Sequence, residues 1–72
     1  MQNVNVRFKE LRSKLGLTQS EMSEKLGMVQ PAWARFEAGG VPDPRSSTIL
    51  NICKTFNVSA DWLLGLTEEY HG

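Results

Sequence analysis

The sequence has very little of the chemistry on which most active sites depend. Its 72 residues include one cysteine and one histidine. A single thiol cannot form an internal disulfide, and one cysteine with one histidine cannot build a closed metal site. The sequence also lacks a nucleophile–base pair, a phosphate-binding loop and a dinucleotide fingerprint. We therefore expect a protein that is not an enzyme and that has no cofactor and no metal.

Long apolar runs are absent as well. No run approaches the roughly 20 residues of a membrane span, and the first residues lack the apolar segment of a secretory signal. A hydrophobic content of 40% with 22% charged residues is typical of a globular chain. The length predicts a single domain over residues 1–72, which we expect to be cytoplasmic and to have no membrane partner.

An excess of positive charge is also missing. Eight basic and eight acidic residues give a formal net charge of zero, which argues mildly against a nucleic-acid partner. The distribution of charge matters more than its sum. Residues 1–64 contain all eight basic residues but six of the acidic ones, because Glu68 and Glu69 lie in the tail. This balance predicts modest DNA affinity for a single copy of the chain.

Apolar spacing predicts helix 1 over residues 4–15. Its inward stripe consists of residues spaced i, i+3 and i+7, namely Phe8, Leu11 and Leu15. The basic residues next to this stripe are expected to point elsewhere: Arg7, Lys9 and Lys14. Gly16 follows the last apolar position and is expected to end the helix.

A capping box marks the start of helix 2, because Thr18 is followed three residues later by Glu21. Gly27 is predicted to adopt a left-handed conformation and to join this helix to the next. Helix 3 is predicted from about Gln30 to Ala38, and Pro31 falls in its first turn, where no backbone N–H is needed.

The large apolar side chains of helices 2 and 3 are expected to share one interior: Met22, Leu26, Met28, Trp33 and Phe36. Helix 2 then supports helix 3 from behind and leaves one of its faces bare. That face begins at Gln30 and includes Ala34 and Arg35. A short helix with amide and guanidinium groups on its outer face can enter the major groove of DNA.

Two further helices complete the predicted chain. Helix 4 should start near Ser46 or Ser47, either of which can cap it, and its inward positions are Ile49, Ile52, Cys53 and Phe56. Ser59 should cap a short helix 5, which contains Trp62 and is closed by Gly65. We expect Trp62 in the core, with a dimer contact as the alternative, and Cys53 as a buried small hydrophobe rather than a reactive thiol.

Three stretches together resemble the phage-repressor (Cro-type, XRE) helix-turn-helix family: FKELRSKLGLTQSEM, KLGMVQPAWARFEAGG and SADWLLG. The resemblance covers about residues 6–66, and the order and spacing of the motifs make it specific. It implies an all-α fold, a compact five-helix bundle of the lambda-repressor-like DNA-binding type with a short C-terminal tail. Members of the family are mostly transcriptional regulators that bind palindromic operators as dimers and read the major groove with the third helix.

The resemblance also implies roles for individual residues. Four positions would face base edges: Gln30, Pro31, Ala34 and Arg35. Three would face phosphates: Thr18, Gln19 and Arg45. Arg12 and Glu37 match a structural ion pair between helix 1 and the end of helix 3. The sequence departs from the family pattern at Val29, where a capping Ser or Thr is common, at Pro31, and in a loop with few basic residues.

The sequence therefore predicts a sequence-specific DNA-binding transcriptional regulator, with repression of a palindromic operator by a homodimer as its mechanism. Its partner would be double-stranded DNA. The alternative is a protein-interaction module, such as an antitoxin partner, with weak or absent DNA binding. Leu64, Leu66 and Tyr70 form either an apolar patch for self-association or the ordinary end of the core.

Overall fold

The computed structural model describes residues 4–70 as an all-α bundle, which confirms the predicted fold class. The described residues form five helices: α1 (Val4–Leu15), α2 (Gln19–Leu26), α3 (Gln30–Ala38), α4 (Ser46–Phe56) and α5 (Ala60–Leu63). Residues 1–3 and 71–72 of the predicted domain, including His71, lie outside the described residues. None of the helices in the described part of the chain has the length and apolarity of a membrane span.

The capping box at the start of α2 is present as predicted. The Glu21 N–H donates to the Thr18 hydroxyl over 3.1 Å, and the Thr18 N–H donates to the Glu21 carboxylate over 2.9 Å. Hydrogen bonds to the Glu21 carboxylate from the backbone N–H and the side chain of Thr18 hold the pKa of Glu21 below its ordinary value, because they favour the charged form. Gly27, with φ of 70°, ends α2 in the left-handed region and starts the turn toward α3.

An aromatic cluster joins α1 to α3 at the centre of the core. The ring of Phe8 lies 5.5 Å from that of Trp33 and 5.3 Å from that of Phe36, measured between centroids. Both geometries are tilted or edge-on, as aromatic pairs prefer. The other buried core residues come from α1, α2, α4, α5 and the connection between α4 and α5: Leu11, Met22, Leu26, Ile49, Ile52, Val58, Trp62 and Leu63. The predicted core positions Leu15, Met28, Cys53 and Phe56 are only partly buried at its edge.

The expectation that Arg7 points away from the interior is wrong. Arg7 is 2% exposed, and its guanidinium lies over the ring of Trp62. Its Nη2 donates to the Glu68 carboxylate over 3.2 Å and to the carbonyl of Thr67 over 3.4 Å. The physical reason is tertiary: α5 and the tail cover the side of α1 next to the Phe8 stripe, so that a position just off the stripe is buried.

The predicted side-chain cap of α4 is also wrong. The helix begins at Ser46, as expected, but its N-cap is Arg45, which makes no side-chain capping bond. The carbonyl of Arg45 accepts from the N–H groups of Thr48 and Ile49 over 3.0 and 3.2 Å. Because the first helical bonds already start at Arg45, Ser46 lies inside the first turn. At the other end Asn57 ends the helix in the left-handed region, with φ of 54°.

The tail folds back over α5. Tyr70 meets Trp62 edge-on with centroids 4.9 Å apart, and its carbonyl accepts from the Ser59 N–H over 3.0 Å. Trp62 is 1% exposed and therefore belongs to the core. Leu66, by contrast, is 65% exposed. Burial raises the pKa of the half-buried Cys53 thiol, so this side chain stays protonated near neutral pH.

Candidate nucleic-acid interface

The outer face of α3 carries the side chains that the sequence assigns to base reading. Gln30, Pro31 and Arg35 are exposed, and Ala34 is partly buried. Neither Gln30 nor Arg35 has a side-chain hydrogen bond or ion pair with any residue between 4 and 70. Their donor groups are therefore available to an external acceptor such as a base edge.

The inner face of α3 holds this outer face in place. Trp33 is fully buried and Phe36 is 9% exposed, and both pack on Phe8 of α1. A further bond comes from α4, because the Asn51 side-chain amide donates to the carbonyl of Leu26 at the end of α2 over 3.0 Å. The helix-turn-helix formed by α2 and α3 is thus held in place by contacts from both α1 and α4.

Val29 adds one apolar residue to the outer face of α3. In the sequence it stood out only as a position where a capping Ser or Thr is common. It is the N-cap of α3, makes no side-chain capping bond, and is 69% exposed. A valine this exposed is able to contact the methyl group of thymine. The signal in the sequence was its position directly before Gln30, outside the inward pattern of the two helices.

A carboxylate at the end of α3 connects three helices. Arg12 of α1 donates from Nε and Nη2 to Glu37 over 2.6 and 3.1 Å, in a two-pronged ion pair. The Glu37 side chain is 5% exposed and that of Arg12 is 22% exposed. Trp33 donates its indole N–H to the same carboxylate. Arg12 also donates from Nη1 to the carbonyl of Leu17 over 3.0 Å.

Gln19 belongs to this network. Its side-chain Nε2 donates to Glu37 over 3.3 Å, and the residue is partly buried. Among the described residues, no hydrogen bond joins the side chains of Gln19 and Gln30. One hydrogen of the Gln19 amide thus points to Glu37, and the second remains for an external acceptor.

The electrostatics of Glu37 are those of a carboxylate that stays charged. Burial raises its pKa, but hydrogen bonds from Arg12, Gln19 and Trp33 outweigh that effect, so the pKa of Glu37 lies below its ordinary value. Hydrogen bonding to Glu37 in turn raises the pKa of Arg12. Both groups are charged throughout the physiological range.

The remaining predicted phosphate contacts are separate from this network. Thr18 is exposed at the N-terminus of α2, where its hydroxyl already serves the capping box. Arg45 is exposed at the start of α4 and makes no ion pair or hydrogen bond with the other site residues in the described chain. Nothing in the described residues brings three or more potential metal ligands together.

Comparison with known families decides the classification. Residues 5–69 match the model of a family described as a helix-turn-helix domain, of the phage-repressor (XRE) type. The chain belongs to the XRE helix-turn-helix family. The match includes α2 to α5, all but the first residue of α1, and both residues of the Arg12–Glu37 pair.

Curated relatives of this XRE domain come from Bacillus subtilis (strain 168). The chain is 40% identical over 62 residues to the HTH-type transcriptional regulator ImmR, covering 86% of this chain and 48% of that protein. It is 39% identical over 57 residues to the uncharacterized HTH-type transcriptional regulator YqaE, covering 79% and 48%. The chain therefore spans about half the length of these relatives.

Proposed function

We propose that this XRE domain is a sequence-specific DNA-binding transcriptional regulator that inserts α3 into the major groove. The single observation that carries the proposal is the outer face of α3, where Gln30 and Arg35 are exposed above a buried aromatic layer and have no side-chain partner among residues 4–70. A rigid short helix with free donors is suited to reading base edges. The relatives named as transcriptional regulators support the same function.

Base reading divides among Val29 and the outer-face residues of α3 according to their chemistry. Arg35 can donate two hydrogen bonds to O6 and N7 of guanine, and Gln30 can pair with N6 and N7 of adenine. Ala34 and Val29 present methyl groups that suit the C5-methyl group of thymine. Pro31 has no side-chain donor, so it contributes shape and not a hydrogen bond.

Phosphate contacts would set the position of α3 in the groove. Gln19 lies at the first position of α2, where the helix dipole favours an anion and where its amide has a second N–H to donate. Thr18 adjoins it, and Arg45 adds a positive charge from the start of α4. These contacts carry no sequence information of their own, so they supply affinity and orientation.

Repression would follow from two copies on one palindromic operator. Successive major grooves are about 34 Å apart on one side of DNA. A domain with extents of 28 × 22 × 21 Å is large enough to place two α3 helices at that separation in a side-by-side homodimer. The bound dimer would cover the operator and block polymerase by its bulk.

An apolar groove beside α4 supports the dimer. It has a volume of about 760 Å³, and Leu50 at its edge is 55% exposed. Its apolar lining consists of Pro44, Ile49, Leu50, Cys53, Ala60 and Leu64. The same groove is the observation that favours the alternative function, a protein-interaction module that binds a different protein there.

Selection of bound sites from random duplex DNA tests the proposal. The expected result is enrichment of one motif with two-fold symmetry and half-sites separated by about one helical turn. An enriched motif without symmetry would contradict the dimer but not DNA reading. Recovery of no motif, together with co-purification of a protein encoded nearby, would replace the proposal with the interaction module.

A further inference from the structure

We propose that Glu37 is a positioning residue for DNA binding: its carboxylate fixes the Gln19 amide in the orientation that offers an N–H to a phosphate. The proposal rests on the proposed function and adds to it a buried residue that does not touch DNA. The observation behind it is the bond of 3.3 Å between Gln19 Nε2 and Glu37 Oε1.

The argument begins with the polarity of the two groups. A charged carboxylate can only accept hydrogen bonds, whereas a glutamine side chain has a donating and an accepting end. Glu37 therefore holds the nitrogen of the Gln19 amide close to α3 and excludes the flipped orientation. A phosphate oxygen also accepts only, so it needs the second hydrogen on that same nitrogen.

The two oxygens of the Glu37 carboxylate accept hydrogen bonds from four donors. Oε1 accepts from Arg12 Nη2 and from Gln19, and Oε2 accepts from Arg12 Nε and from the indole of Trp33. An amide at this position would replace one of the two acceptors with a donor. Because each oxygen accepts from two donors, two of the four donors would then face another donor, and Gln19 makes the longest of these bonds.

The same carboxylate also relates the two DNA-contacting helices to each other. Arg12, held by Glu37, donates to the carbonyl of Leu17 on one side of the Thr18 cap, and Glu37 accepts from Gln19 on the other side. The start of α2 is thereby tied to the last turn of α3. The groups of α2 that would contact phosphates and the groups of α3 that would contact bases are therefore kept at fixed positions relative to each other.

A double-mutant cycle separates positioning from stability. We would measure affinity for the selected operator duplex by fluorescence anisotropy for the wild type, Gln19→Ala, Glu37→Gln and the double variant. Glu37→Gln should weaken binding about 3- to 10-fold in the presence of Gln19 and less than about 2-fold in the Gln19→Ala background. Glu24→Gln is the matched control, because it removes the same charge from an exposed position of α2.

Equal weakening by Glu37→Gln in both backgrounds would overturn the positioning role and leave a structural one. A second readout needs no DNA: the side-chain amide resonances of Gln19 in a ¹⁵N-correlated NMR spectrum of the free protein. They should move on Glu37→Gln and stay in place on Glu24→Gln, at a temperature where each variant is folded. Unchanged Gln19 resonances in Glu37→Gln would refute the positioning role of Glu37, whether or not the wild type binds DNA. Failure of the wild type to bind DNA would by itself refute the proposed function.

Discussion

The guanidinium carbon of Arg7 lies 4.6 Å from the centre of the Trp62 ring, so that a charged side chain from the first helix packs on an aromatic side chain from the last. The same guanidinium reaches Glu68 in the tail over 3.2 Å and Glu10 in its own helix over 3.6 Å. The Nε atom of Arg7 is buried and has no partner among the described residues. Arg7 thus holds α1, α5 and the tail together.

Arg7→Ala should lower the free energy of unfolding by about 2–4 kcal/mol. The change removes a cation–π contact and a buried stem, and it leaves the paired groups of the tail without their donor. Urea unfolding followed by fluorescence measures the loss. Lys9→Ala is the control, because Lys9 is exposed on the same helix, and it should change the free energy by less than about 0.5 kcal/mol. Equal effects of the two substitutions would show that Arg7 is an ordinary surface residue.

The predictable part of the fold was the part encoded by neighbouring residues. The bounds of α3, the Thr18–Glu21 capping box and the left-handed Gly27 all depend on residues within a few positions of each other. The surroundings of Arg7 could not be predicted, because they depend on Trp62 and Glu68, which lie 55 and 61 positions further along the chain.

In the candidate site, too, some features are encoded by neighbouring residues and others depend on contacts between distant positions. The exposed positions of α3 followed from its helical period, once Trp33 and Phe36 were placed inside. The bond from Gln19 to Glu37 joins positions 18 residues apart and depends on how α2 crosses α3. No local pattern encodes that crossing. The family resemblance supplied Arg12 and Glu37 as a pair but not the two further donors to the carboxylate.

Glu37→Leu should destabilise the fold by about 3–5 kcal/mol. A buried ion pair often adds little over apolar packing, but removal of one partner leaves the other charge partly buried and unpaired. Arg12, the Trp33 indole and Gln19 would all lose their acceptor. Thermal and urea unfolding measure the loss, and Glu24→Leu at an exposed position is the control. A change under about 1 kcal/mol would match a surface ion pair and contradict the account.

Stability should fall in acid because of Glu37. Folding lowers the pKa of Glu37. The charged carboxylate therefore makes its full contribution to the free energy of unfolding above the pKa of the unfolded chain, about 4.3, and this contribution is lost as the pH falls through the lower pKa of the folded state. Urea unfolding from pH 7 to pH 2 should show this loss, in part also from Glu21, whose pKa is lowered too. Glu37→Gln should make the dependence shallower. An identical dependence in wild type and variant would mean that Glu37 does not titrate with folding.

DNA affinity should depend on salt. Phosphate contacts release counterions, so the logarithm of the binding constant should fall linearly with the logarithm of the salt concentration. Arg45→Ala should reduce the magnitude of this slope by about 1, the amount expected for one lost phosphate contact, because Arg45 is the exposed cation assigned to a phosphate. Lys54→Ala, at an exposed position near the end of α4, is the control and should leave the slope unchanged. A binding constant independent of salt would contradict a phosphate-anchored mode.

The most direct test of the central claim is the affinity of Arg35→Ala for the selected operator, measured beside its affinity for an unrelated duplex. If the outer face of α3 reads bases, the variant should lose about 1–3 kcal/mol of binding to the operator and almost none to the unrelated duplex. Its melting temperature should stay nearly unchanged, because Arg35 is exposed and has no partner in residues 4–70. Operator affinity equal to that of the wild type, or a large loss of thermal stability, would contradict the assignment of α3 as the reading helix.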